Sequence, residues 1–166
     1  MEMIITDIEN KLMQDVPALK YVDHDWGQMD FFQSPPVKYP CVMIDIQSGE
    51  YTDKVNFVQQ GNLLIVLRIF DLKLSNSSGR SPNNQKQEAR KIWQLMKDIN
   101  KSMHGQNFLQ TGNGLPMRKS FRRIKREDGC IQTELYYSTQ FTDESCTPDV
   151  HKIDAQPHIT VSLKKE

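Results

Sequence analysis

Leu63-Leu64-Ile65-Val66-Leu67-Arg68-Ile69-Phe70 is the stretch that decides the fold. Apolar side chains occupy both its odd and its even positions. A half-buried strand alternates, so an unbroken run of this length predicts a central strand covered on both faces. Gln60-Gly61-Asn62 reads as a break just before it. On the upstream side, Cys41 to Gln47 alternates, with Val42, Ile44 and Ile46 opposed to Met43, Asp45 and Gln47. That pattern predicts a half-buried neighbouring strand, with turns near Gly49 and Asp53.

Further upstream, Lys20 to Trp26 suits a short edge strand. Phe31-Phe32, followed by Ser34-Pro35-Pro36 and Pro40, reads as an extended loop carrying two aromatic anchors. The chain opens on a helix over about residues 3–14, read from a stripe of Ile5, Ile8 and Leu12 flanked by Ile4 and Val16. Thr6 and Glu9 have capping-box spacing, and Pro17 ends the helix by pushing the preceding residue out of the α region.

Downstream, Ser75 to Asn84 has the Ser, Asn and Gly content of an exposed loop. Ser81 with Pro82 offers a helix start, and Ala89, Ile92, Trp93, Met96, Ile99 and Met103 mark a helical stripe over about 83–103. Trp93 is expected as a core anchor there. Gly105 suits the residue past the helix end, and Thr111-Gly112-Asn113-Gly114 a second loop, with 108–115 expected to be exposed. A hairpin follows over about 117–142, turning at Glu127-Asp128-Gly129. After Asp143 periodicity fades except in His158-Ile159-Thr160-Val161-Ser162-Leu163, a candidate late strand.

Short helix, strands, long helix and hairpin together predict an α+β domain over residues 1–142. Its core is a single mostly antiparallel or mixed sheet, packed on one face by the N-terminal helix and the one long helix. A neighbouring subunit is expected to cover the other face of the central strand. Residues 143–166 are read as a C-terminal extension that pairs with or wraps a neighbouring chain.

Composition narrows the function classes. The 166 residues carry 21 basic and 21 acidic side chains, so no global field recruits nucleic acid or membrane. Hydrophobic residues make up 37% and mean hydropathy is −0.61, which suits large solvated loops or a core shared between subunits. No apolar stretch is long enough to span a membrane. Met1 to Asp7 shows no secretory signal, and the expected compartment is the cytoplasm. Cys41, Cys130 and Cys146 have no metal-ligand spacing and are expected as reduced, partly buried thiols.

Chemical motifs are sparse. Phosphate-cradling glycine loops, a nucleophile elbow and a zinc-protease helix are all missing from the sequence. Asp23-His24-Asp25 is the densest group of ligand-type side chains, but neighbours on an extended chain point to opposite faces, so His24 is expected at the surface. His104, His151 and His158 lack the spacing of a Cys/His site. No catalytic residue, cofactor or metal site is assigned, and no enzyme is expected.

The strongest local signal is a charge cluster. Arg118, Lys119, Arg122, Arg123, Lys125 and Arg126 place six positive charges in nine residues of one strand. With those six set aside, 15 basic residues face 21 acidic ones, so the neutral total conceals a polarised molecule. Alternation puts Arg118, Arg122 and Arg126 on one face, and Lys119, Arg123 and Lys125 on the other. Three readings stand side by side: a solvated strand paired with acids such as Glu127 and Glu134, a subunit interface, or a nucleic-acid contact. The last requires exposed aromatics interleaved with the charge or a basic helix, and the sequence pattern marks out neither.

The element order carries a family resemblance. It rests on Ile4-Ile5-x-x-Ile8-x-x-x-Leu12 followed by Pro17, Pro40-Cys41-Val42-Met43-Ile44, Ile92-Trp93-x-x-Met96, and Leu135-Tyr136-Tyr137-Ser138-Thr139-Gln140-Phe141. Over roughly residues 3–142 the chain resembles the tail terminator and tail completion proteins of long-tailed bacteriophages and their prophage relatives. The resemblance implies a structural role: a homo-oligomeric ring, commonly hexameric, that caps the tail tube and joins it to the head or neck. It implies a place in the virion tail after synthesis in the bacterial cytoplasm. The interface residues expected on that basis are Arg118, Arg122, Arg123 and Arg126 on the basic arm, with Phe31 and Phe32 as anchors. The alternative is a nucleic-acid-binding accessory protein using strand 118–126.

Overall fold

A computed structural model describes residues 2–31, 34–72, 75–110 and 113–147. Helix α1 spans Glu2–Asp15, strand β1 Tyr21–His24, β2 Cys41–Asp53, β3 Gln59–Leu72, helix α2 Asn83–Met103, β4 Met117–Ile124 and β5 Cys130–Asp143. The five strands form one sheet in the order β1-β2-β3-β5-β4. β1 runs parallel to β2, and the other pairings are antiparallel. The expected α+β architecture with one mixed sheet is therefore the one observed.

β3 is the central strand. It pairs along its length with β2 on one side and β5 on the other. Leu63, Ile65, Leu67 and Ile69 face the helices and are buried with Ile4, Ile8 and Leu12 of α1 and with Ile92, Leu95, Met96, Ile99 and Met103 of α2. Val42 and Ile44 of β2 join this core, while Ile46 and Leu64 are only half-buried.

The opposite face is covered at one end from within the chain. The segment between β1 and β2 folds back over that end of the sheet, a cover that the sequence pattern did not suggest. Met29, Cys41, Met43, Phe70 and Cys130 form a second buried cluster there, with Tyr21, Val37 and Tyr39 packed against it. Burial pushes the thiol of Cys41 up to about 12 and that of Cys130 up to about 11. Both are free and buried, and Cys146 is free and exposed.

Several local expectations are corrected. Gly49 and Gln60-Gly61-Asn62 are not breaks but lie inside β2 and β3, because cross-strand packing overrides their turn propensity. Tyr51 lies opposite Gly61, and its ring covers the glycine so closely that a Cβ there would come within 3.0 Å of Tyr51 Cε1. The turn expected near Asp53 is observed just after it, at Val55–Phe57, with Asn56 and Phe57 at φ 62° and 61°. Thr6 does not cap α1: it sits inside the helix and its hydroxyl donates to the Glu2 carbonyl. The α1 stripe is Ile4, Ile8 and Leu12, with Ile5 at its margin. Segment 108–115 is not wholly exposed, since Leu109 is buried and Phe108 packs on the core. Gly105, at φ 67°, takes the left-handed position just past α2. The candidate strand 158–163 lies outside the described residues.

Two outcomes test this packing. Leu67→Asp puts an unpaired charge into the core and is expected to cost more than about 4 kcal/mol, abolishing the cooperative melt. A retained melting temperature would remove β3 from the centre. In native protein at pH 8, Cys146 is expected to react rapidly with a disulfide reagent, and Cys41 and Cys130 only after denaturation. Rapid reaction of all three thiols would open the second cluster.

Candidate functional site

The basic arm is β4, an edge strand whose residues are nearly all exposed. An edge strand carries unpaired backbone groups and is the natural place for another chain to meet. Its register slips between Arg118 and Ser120, so one extra residue, Lys119, bulges out of the ladder. This bulge corrects the simple alternation. Arg118 pairs with Tyr137 on the helix-covered face, whereas Arg122 pairs with Glu134 on the opposite face.

On that opposite face the charges are neutralised internally. Arg122 donates from Nε and Nη2 to Glu134 Oε2 at 3.2 and 3.0 Å. Glu134 is itself buried and also accepts from Gln132 and from the hydroxyl of Tyr136. Arg68 of β3 sits at the centre. It is paired with Asp25, with Asp45 at 2.9 Å, and with Glu134 at 3.5 Å. Burial alone would pull the Arg68 pKa down, but the hydrogen bond it donates to Asp25 and the surrounding carboxylates raise it, so the guanidinium stays charged. Asp25 is therefore committed to Arg68. Asp23 accepts from Tyr21, Trp26 and Gln28. Among the described residues no group of three or more His, Cys, Asp or Glu side chains is placed to hold a metal ion.

Arg126 closes the hairpin. Its guanidinium lies 5.6 Å from the centre of the Phe70 ring and donates to Asp128 and to Gln132. The hydrogen bond from Arg126 holds the Asp128 carboxyl below its ordinary range. These contacts tie Arg126 to its own chain. Phe31 is exposed and meets Trp26 edge-on, with ring centres 6.0 Å apart. Phe32 lies outside the described residues.

On the helix-covered face the charges are open. Among the described residues Arg118, Lys119, Arg123 and Lys125 form no ion pair. Beside them stand two exposed aromatics, Trp93 of α2 at 52% and Phe121 of β4 at 56%. A cleft of about 290 Å³ separates α2 from the hairpin, with Arg90, Trp93 and Met96 on one wall and Arg123, Ile131 and Thr133 on the other.

The sequence matches no family model and no curated protein. The fold, however, has been seen before. A chain in the solved structure "Virion of native gene transfer agent (GTA) particle" superposes with a TM-score of 0.52 at 10% identity. The match covers 82% of this chain and 92% of that chain. At this level of identity the likeness is one of fold.

Three features escape the sequence reading. Trp93 is exposed, not a core anchor: it lies one residue, about 100°, past Ile92 on the helix, which turns it off the buried stripe. Leu95, absent from the expected stripe, is buried in its stead. The third is the pair of exposed apolar side chains at the turn of the β2–β3 hairpin, Val55 at 80% and Phe57 at 71%. Apolar residues flanking Asn56, in the turn expected near Asp53, are the available signal.

Arg68→Ala is expected to cost about 3–5 kcal/mol in urea unfolding, because it strands three carboxylates, one of them buried. Arg122→Ala, at a side chain 63% exposed, is expected to cost under about 1 kcal/mol. Equal costs would mean that the network is not centred on Arg68.

Proposed function

We propose that this chain is a structural protein of a phage-like particle, of the tail terminator or tail completion type. Copies close into a ring, commonly a hexamer in such proteins, that caps the tail tube and joins it to the head or neck. The chain acts through its surfaces and not as an enzyme. It is made in the bacterial cytoplasm and ends in the virion tail. The observation that carries this reading is the fold shared with a virion chain over 82% of this chain and 92% of that one. The tail position rests on the element order and the Pro40-Cys41-Val42 entry to the sheet.

The arrangement of surfaces is consistent with ring assembly. Edge strands β1 and β4 lie at opposite sides of the sheet, so each copy presents two different flanks. Unlike flanks generate head-to-tail contacts, and such contacts close into rings when the rotation permits.

A nucleic-acid-binding accessory role is the second reading. It is favoured by four cations that form no ion pair among the described residues and stand beside exposed Trp93 and Phe121, the interleaving of charge and aromatics that single strands need. Salt-dependent DNA binding that vanishes in Arg118→Glu/Arg123→Glu would support it.

The deciding experiment removes the gene from the particle-producing strain. Tails made without the protein are expected to accumulate unjoined to heads, and purified protein added back is expected to restore joining, as counted by electron microscopy. Complete particles in its absence would refute the structural role.

A further inference from the structure

The two surface features left without a role inside the chain lie far apart on it. One is the end of the β2–β3 hairpin. β3 runs past the end of β4 by five residues, Gln59–Leu63, which is about 17 Å of extended chain. At its tip stand Val55 and Phe57, and Tyr51 is also exposed. Glu50 and Asp53 flank this tip on β2, while Asp143 lies opposite Gln59 and Glu144 follows it. Within the turn segment 54–58 the one cationic side chain is Lys54. The tip is thus an apolar point set in acidic surroundings.

The backbone at the tip adds a second observation. Phe57 holds φ 61°, a region that glycine and asparagine occupy readily and a bulky side chain does not. A residue kept in a costly conformation, with its ring in water, implies use of the ring elsewhere.

The other feature is the cleft between α2 and the hairpin of β4 and β5. Its walls are apolar at Ile92, Trp93 and Met96, and its rim is cationic at Arg90 and Arg123, with Arg118 and Lys119 beyond. Its volume of about 290 Å³ is at the lower limit for small-molecule sites, but it admits projecting side chains.

We infer that the hairpin tip of one copy inserts Val55 and Phe57 into the α2–β4 cleft of the next copy, with Glu50, Asp53, Asp143 and Glu144 meeting Arg90, Arg118, Lys119 and Arg123. The contact is apolar at its centre and charged at its rim, the usual anatomy of a specific interface. Its two halves are different surfaces, so it propagates head to tail. This inference rests on the ring reading above and specifies the contact that makes the ring.

The test uses full-length protein at about 1 mM, and again bound to tails. Tip variant Phe57→Asn is expected to melt at or above the wild-type temperature, because asparagine tolerates the positive φ, while self-association weakens at least tenfold. Cleft variant Arg118→Glu/Arg123→Glu is expected to fold normally and also to lose association. Mixed together, the two variants retain one intact tip and one intact cleft, so they are expected to form a heterodimer and nothing larger. A photocrosslinker at position 57 is expected to label Trp93 or Phe121 of a second copy. Wild-type oligomers crosslinked elsewhere, or a mixture that stays monomeric, would overturn the contact but leave the ring standing. Failure of the wild type to associate at either condition would overturn both. Capture of a single-stranded oligonucleotide by the cleft, lost in Trp93→Ala, with no self-association would replace this partner by nucleic acid.

Discussion

The burial of β3 on both faces is the constraint to which the other elements answer. A strand with apolar side chains at odd and even positions is unstable unless two layers cover it. α1 and α2 form one layer, and they can do so because Ile4, Ile8 and Leu12 on one helix and Ile92, Met96 and Ile99 on the other share a common side. The second layer is thinner. Met29, Val37 and Tyr39 cover only the end of the sheet near Phe70. Farther along, the same face passes from apolar packing to the charge network around Arg68. Arg68 is the charged residue in the apolar run of β3, and it is accommodated because three elements each bring it a carboxylate: the β1–β2 segment Asp25, β2 Asp45 and β5 Glu134. A buried charge so surrounded fixes the register of its neighbours more than it stabilises them.

The long periodic elements were legible for a physical reason: their patterns reflect the core directly. The bounds of α2, the central position of β3 and the β4–β5 hairpin all follow from apolar spacing. What misled was local chemistry overridden by packing. Gly61 reads as a turn residue, yet it sits mid-strand because the ring of Tyr51 needs the space above it. Trp93 reads as core because tryptophan is apolar, yet the helix turns it outward by a single residue's rotation. The face assignment of Arg118 failed because a bulge at Lys119 shifts the alternation by one, and nothing in the charge pattern announces a bulge. The second layer was least legible of all. Its residues come from a Pro-rich segment with no period, and their placement is decided by chain connectivity, not by pattern.

The basic arm illustrates how one sequence signal divides into different physical roles. Arg126 is bound to Phe70, Asp128 and Gln132 and serves the hairpin turn. Arg122 neutralises buried Glu134 from the solvent side. Arg118, Lys119, Arg123 and Lys125 remain, and for them a bland account exists. Lysine, arginine and a bulge on an edge strand are the ordinary devices that keep sheets from adding strands indiscriminately. Charge on β4 therefore does not by itself require a partner.

The aromatics do. Phe121 on the edge strand and Trp93 at the α2 cleft both leave large rings in water, area that a contact would bury. The same imbalance recurs at Phe57, where an exposed ring is held on a disfavoured backbone. Repulsive charge excludes wrong neighbours, whereas the exposed rings supply the area by which a correct one is held. In the proposed contact the rings supply the buried area, and the charge sets which surface may approach.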